Sequence, residues 1–165
     1  MSIEDEVRED RVSNERKGHE LSWGLAALAV LSGLASLEAR AAAPPGRYTL
    51  TADTVVDTFT GLTWQRAQAQ GTYTWDGAKA YCAALSLGGF GAGSWRLPRK
   101  LELETILDVG SYSPAIDVVA FPGTSSTWFW TSSAAFTDSA YVVRFDDGYI
   151  NNDVQTASNS ARCVR

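Results

Sequence analysis

The sequence predicts an exported α+β domain, two helices with a mainly antiparallel sheet, closed by one disulfide. Three observations predict it. An uncharged apolar stretch precedes a run of small residues near position 43. Apolar residues recur at helical spacing over 75–85, whereas the chain beyond 127 is strand-like. Two cysteines, Cys82 and Cys163, fall in the helical and the strand-like parts.

The division comes at about residue 43. Residues 1–20 hold seven acidic and four basic side chains without apolar periodicity, which reads as a disordered tail. Residues 21–37 carry no charge, and Ala39-Arg-Ala41 and Ala41-Ala-Ala43 follow. That layout is a signal peptide cut after Ala41, or after Ala43, where Pro44 is the poorer following residue. A start at Val12 would leave a short n-region with Arg16 and Lys17 before the apolar core. The alternative is an anchor, since 17 apolar residues approach a membrane-spanning length. Membrane attachment is expected only if 21–37 is retained. Localisation is therefore expected to be periplasmic, cell-surface or secreted, with the working domain at 44–165.

Composition excludes several classes of function. The pI near 4.8 argues against a general nucleic-acid binder. The whole chain has one His and two Cys, too few for a four-ligand Cys/His zinc site. Residues 44–165 hold nine basic and eleven acidic side chains and no His. A Ser-His or Cys-His dyad therefore has no base there. No phosphate loop or dinucleotide fingerprint occurs, and no two carboxylates stand out as a glycosidase pair. The expectation is a protein that is not an enzyme.

The elements follow in order. Residues 53–57 and 62–66 read as a β-hairpin, with Gly61 in the turn. A first helix starts after Thr74, its N-cap, with Asp76 in the first turn. Trp75, Ala78, Cys82 and Leu85 form its apolar stripe, and Gly88-Gly89 stops it. Pro98 suits the first turn of a second helix over roughly 98–108, with Leu103, Ile106 and Leu107 inward. A long loop with Pro114 and Pro122 spans 110–127. Strands are expected at 127–132, 140–145, 148–151 and 160–165, with Asp146-Asp-Gly148 as a hairpin turn. A cysteine pair in an exported domain forms a disulfide; the alternative is two buried free thiols.

An ordered set of short motifs resembles the bacterial Lcl (Legionella collagen-like protein) C-terminal domain family. The set is Gly61-Leu-Thr-Trp64, Trp75-Asp-x-Ala78, Tyr81-Cys82, Trp95-Arg-Leu-Pro98, Glu102-Leu103, Phe129-Trp-Thr-Ser-Ser133, Phe145-x-Asp-Gly148 and Arg162-Cys-Val-Arg165. The resemblance covers about residues 48–165. It implies a compact C-type-lectin-like domain with a disulfide from helix to last strand. It also implies an extracytoplasmic role such as adhesion, because the family's named member binds sulfated glycosaminoglycans. This sequence carries no collagen-like Gly-x-y repeat.

Each candidate site residue has a structural alternative. Trp64, Trp75 and Trp95 read as core. Trp128 and Trp130 share one face of a strand, one of the pair at the surface, where a flat ring suits a sugar face. Arg144, Asp147, Asn151 and Asn152 complete the candidate ligand set. Arg96 reads as a structural partner of Glu102 behind Pro98, and Arg162 likewise as one half of an ion pair. Asp146, Asp147, Asn151, Asn152 and Asp153 offer calcium-type oxygens. Their spacing fits no EF-hand, and the calcium motifs of C-type lectins are missing. They read as turn residues, so no cofactor and no metal are expected. The expected function is an exported binding or adhesion module for glycans such as sulfated polysaccharide, acting through 86–94, 110–127 and 146–153. The alternative is a structural or protein-interaction domain of the envelope with no sugar ligand.

Overall fold

The computed structural model describes residues 43–165. The tail, the signal or anchor segment and the alternative start lie outside the described residues. Two three-stranded antiparallel sheets and two helices make up the domain, rather than a single sheet. The first sheet is β1 (Tyr48–Leu50), β2 (Thr54–Asp57) and β3 (Thr63–Gln65), in that order. Gly61 turns the expected β2–β3 hairpin at φ +72°, a left-handed conformation suited to glycine, and its N–H donates to the Asp57 carbonyl at 2.8 Å. The extra strand β1 is held by Arg47, whose guanidinium pairs with buried Asp57 at 2.9 Å and donates to the Thr105 carbonyl.

Helix α1 (Trp75–Ala84) starts where Thr74 predicts it. The Thr74 Oγ1 accepts from the Gly77 N–H at 3.2 Å, satisfying one of the free donors of the first turn. Ala78 and Cys82 form the buried stripe, while Trp75 is half-buried. The helix ends at Ala84, four residues short of Gly88, because the Leu85 N–H turns back to the Cys82 carbonyl at 3.2 Å. Helix α2 (Lys100–Glu104) is shorter than the expected 98–108. Pro98 lies before its cap rather than in its first turn. Glu102 Oε2 reaches back to the Arg99 N–H at 2.7 Å, which fixes the start.

The second sheet is β4 (Trp128–Phe136), β5 (Ser139–Arg144) and β6 (Ile150–Val154). Gly148, at φ +78°, closes the β5–β6 hairpin as expected. The centre of β4 and β5 is buried on both faces. Phe129, Val143 and Phe145 join Leu103, Ile106 and Phe121 in one apolar cluster. Trp130, Val142 and Ala140 join Ala78, Cys82 and Trp95 in the other. The 110–127 loop sends four apolar side chains into the core: Ala115, Ile116, Ala120 and Phe121 are buried.

The expected last strand is not a regular strand. Residues 159–165 instead stitch the elements together. Thr63 and Arg165 exchange backbone bonds at 2.9–3.0 Å, and Arg96 and Val164 exchange two at 2.9 Å. Ser160 bonds both Trp128 and Trp130 at 2.9 Å. Cys163 is thereby brought under α1, and it is disulfide-bonded to Cys82 across 81 residues, with a Cα–Cα distance of 5.4 Å. Neither cysteine is a free thiol.

Candidate functional site

Alternation along β4 and β5 sets one row of side chains across the second sheet. Trp128 pairs with Arg144, and the Arg144 N–H donates to the Tyr149 carbonyl at 2.8 Å. The three side chains therefore emerge next to one another on one face. The Arg144 guanidinium lies 5.1 Å from the Trp128 ring centre and 5.6 Å from that of Tyr149. The two rings meet edge to face at 6.1 Å. A cation over aromatic faces is favourable, and it fixes both rings.

Asp147 fixes the cation. Arg144 Nε donates to Asp147 Oδ1 at 2.9 Å, and a terminal nitrogen donates to Oδ2. The Tyr149 N–H adds a bond to Oδ1 at 3.0 Å. The Arg144 hydrogen bonds, followed by that N–H, hold the Asp147 carboxyl down to about 2. Tyr149 remains 56% exposed, so a ring face is open to solvent. Trp128 is half-buried beside it, and the Asn151 amide is exposed.

The structure brings together Trp128, Arg144, Asp147 and Asn151 from the expected ligand set. It removes two others. Trp130 is fully buried and donates its indole N–H to the Tyr73 carbonyl at 2.7 Å, so it is core. Asn152 pairs with Tyr141, one residue out of phase with Asn151, and therefore faces the opposite side of the sheet. Tyr149 was missed by the sequence reading. Its signal was its place after the Asp146-Asp-Gly148 turn, which puts it opposite Arg144.

The structural residues behave differently from one another. Trp64 and Trp95 are buried as expected. Arg96 makes a bidentate pair with Glu102 at 2.6 and 2.7 Å, as expected. Those bonds from Arg96 hold the Glu102 carboxyl below its usual value against the opposing effect of burial. Among the described residues, Arg162 has no ion-pair partner, contrary to expectation. It is fully buried, with bonds to the Arg66 carbonyl at 2.9 Å, the Gln65 carbonyl at 3.3 Å and Thr124 Oγ1 at 2.7 Å. Burial pushes its guanidinium below the usual arginine value.

Four of the basic side chains around the second helix and the C-terminus are engaged within the domain. Arg96 is held by Glu102 and Lys100 by Glu104, while Arg165 stacks on Phe90 at 3.4 Å and Arg162 is inside. Among the described residues, no group of three or more His, Cys, Asp or Glu side chains is placed to hold a metal ion. No helix among them is long and apolar enough to cross a membrane. The disulfide fits an oxidising, extracytoplasmic compartment.

Fold and site together define a disulfide-closed α+β domain with an aromatic and guanidinium surface at one end of its second sheet. A model of the Lcl C-terminal domain matches residues 53–165, and the chain belongs to that family. No curated protein matches the chain.

Proposed function

We propose that this is a non-catalytic, exported binding module that recognises a glycan on the Trp128–Arg144–Tyr149 face. The row of two rings on one immobilised guanidinium carries the reading. Sugar recognition needs a flat apolar surface for the ring's C–H face and fixed polar groups at its edge for the hydroxyls. Tyr149 supplies an exposed ring, and Asn151 and Asp147 supply polar groups beside it. Rigidity favours binding, because little side-chain entropy is left to lose. Both cysteines are in the disulfide, so neither offers a free thiol nucleophile, which supports a binding reading for the domain. Export is supported by that disulfide and by the apolar leader in the sequence.

A glycan array probed with the full chain tests the reading. Glycan signals that fall about tenfold in Tyr149→Ala, the loss of ~1.4 kcal/mol of ring contact, are expected. An array with no signal overturns it.

One observation favours a protein partner instead. Phe136 and Val154 are 72% and 56% exposed and both pair with Ser139, at the far end of the same sheet. A partner docking there would leave the Tyr149 end free.

A further inference from the structure

The hairpin tip that carries Tyr149 is flanked by a second exposed ring. Tyr112, in the loop after α2, is 71% exposed. Its hydroxyl donates to Asp146 Oδ2 at 3.3 Å. Ser113 secures the loop to the same residue, through its Oγ to Asp146 Oδ1 and its N–H to the Asp146 carbonyl at 2.9 Å. Tyr149 is fixed to the next residue, Asp147, through its own N–H at 3.0 Å. Two solvent-facing tyrosines are therefore anchored to consecutive residues of one turn, whose Cα atoms are about 3.8 Å apart.

The charge around these rings is one-sided. The β5–β6 hairpin, residues 139–154, holds one base, Arg144, and three acids, Asp146, Asp147 and Asp153. The one base is bidentately paired with Asp147. A sulfate or carboxylate arriving here would have to displace Asp147 from Arg144, against the neighbouring Asp146 carboxylate. A hydroxyl meets no such conflict, since both Asp146 oxygens and Asp147 Oδ2 accept one bond each and retain lone-pair capacity for an O–H donor.

Building on the glycan-binding reading, we infer that the ligand is an uncharged, hydroxyl-rich glycan lying across the hairpin tip, with Tyr112 and Tyr149 under neighbouring sugar units. The carboxylates of Asp146 and Asp147 accept its hydroxyl protons between the rings. The selectivity is for neutral over sulfated chains.

The test is an array of neutral glycans printed beside their sulfated counterparts, probed with the full chain and with Tyr112→Ala and Tyr149→Ala. Both rings are exposed, so unchanged melting temperatures would show that both variants fold. Neutral glycans should bind, keep their signal in about 0.5 M NaCl, and lose it about tenfold in each variant. Signal from sulfated glycans alone, lost in salt, would overturn this inference and leave glycan binding standing. Loss in Tyr149→Ala without loss in Tyr112→Ala would overturn the two-ring site. No signal from either set would overturn the binding reading itself.

Discussion

The Arg162 guanidinium lies 4.7 Å above the centre of the Phe121 ring, inside the protein and, among the described residues, without a carboxylate to pair with. Carbonyls of Gln65 and Arg66, the Thr124 hydroxyl and an aromatic face take the place of a counter-ion. These partners come from the end of β3 and from the loop before β4, so one side chain joins segments far apart in sequence. Its Nε has no acceptor. The arrangement depends on the planar, multi-donor head that lysine lacks.

Arg162→Lys should therefore destabilise by about 3 kcal/mol, because a lysine leaves buried acceptors without donors. Urea unfolding of the two proteins checks this. A change below about 0.5 kcal/mol would mean that the network is dispensable.

The Cys82–Cys163 bridge closes a separation of 81 residues. The chain-entropy model gives such a loop ~4–5 kcal/mol. Cys82→Ser should lose most of that in denaturant unfolding, and dithiothreitol should lower the melting temperature of the parent but not of the variant.

Much of the fold was legible in the sequence because local chemistry decided it. Thr74 caps α1, Gly61 and Gly148 turn the two expected hairpins, and Cys82 lies on the inward stripe. The misses share a physical cause. Residues 160–165 look like a strand, yet their partners are Thr63, Arg96 and Trp128, three segments that no local pattern brings together. Arg162 was read as half of an ion pair because its burial against carbonyls depends on that tertiary path. Within the site, alternation put Trp128 and Trp130 on one face, as they are, but burial of Trp130 was decided by α1 packing over it. The exposure of Tyr112 and Tyr149 likewise depends on which loops leave a turn uncovered.

Stability should be flat between about pH 5 and 8, since residues 43–165 contain no histidine. It should fall in acid. Burial tends to raise Asp57, but the hydrogen bonds from Arg47 and from the Phe59 N–H outweigh it and hold the carboxyl low. Glu102 is held low by Arg96. Carboxyls that are low in the folded state stabilise above the unfolded values of about 4, and this is lost as pH falls through the folded values. In alkali, burial raises the Tyr48 phenol, so its contribution is complete below about pH 10 and lost above. Melting temperatures across pH 2–11 check both limbs, and a steep change near pH 6.5 would contradict the assignment.

Thr74→Ala should cost about 1 kcal/mol by removing the N-cap of α1. Urea unfolding would show it, and Thr74→Ser should recover most of the loss.

The central claim is that the Trp128–Arg144–Tyr149 row receives a ligand. Amide and side-chain NMR shifts of the labelled full chain, titrated with a glycan selected on the array, test it most directly. The account predicts saturable shifts at the Trp128 indole, Arg144 Nε, Tyr149 and the Asn151 amide, with the β1–β2 surface unchanged. Saturable shifts confined to other surfaces, or none at all, would contradict it.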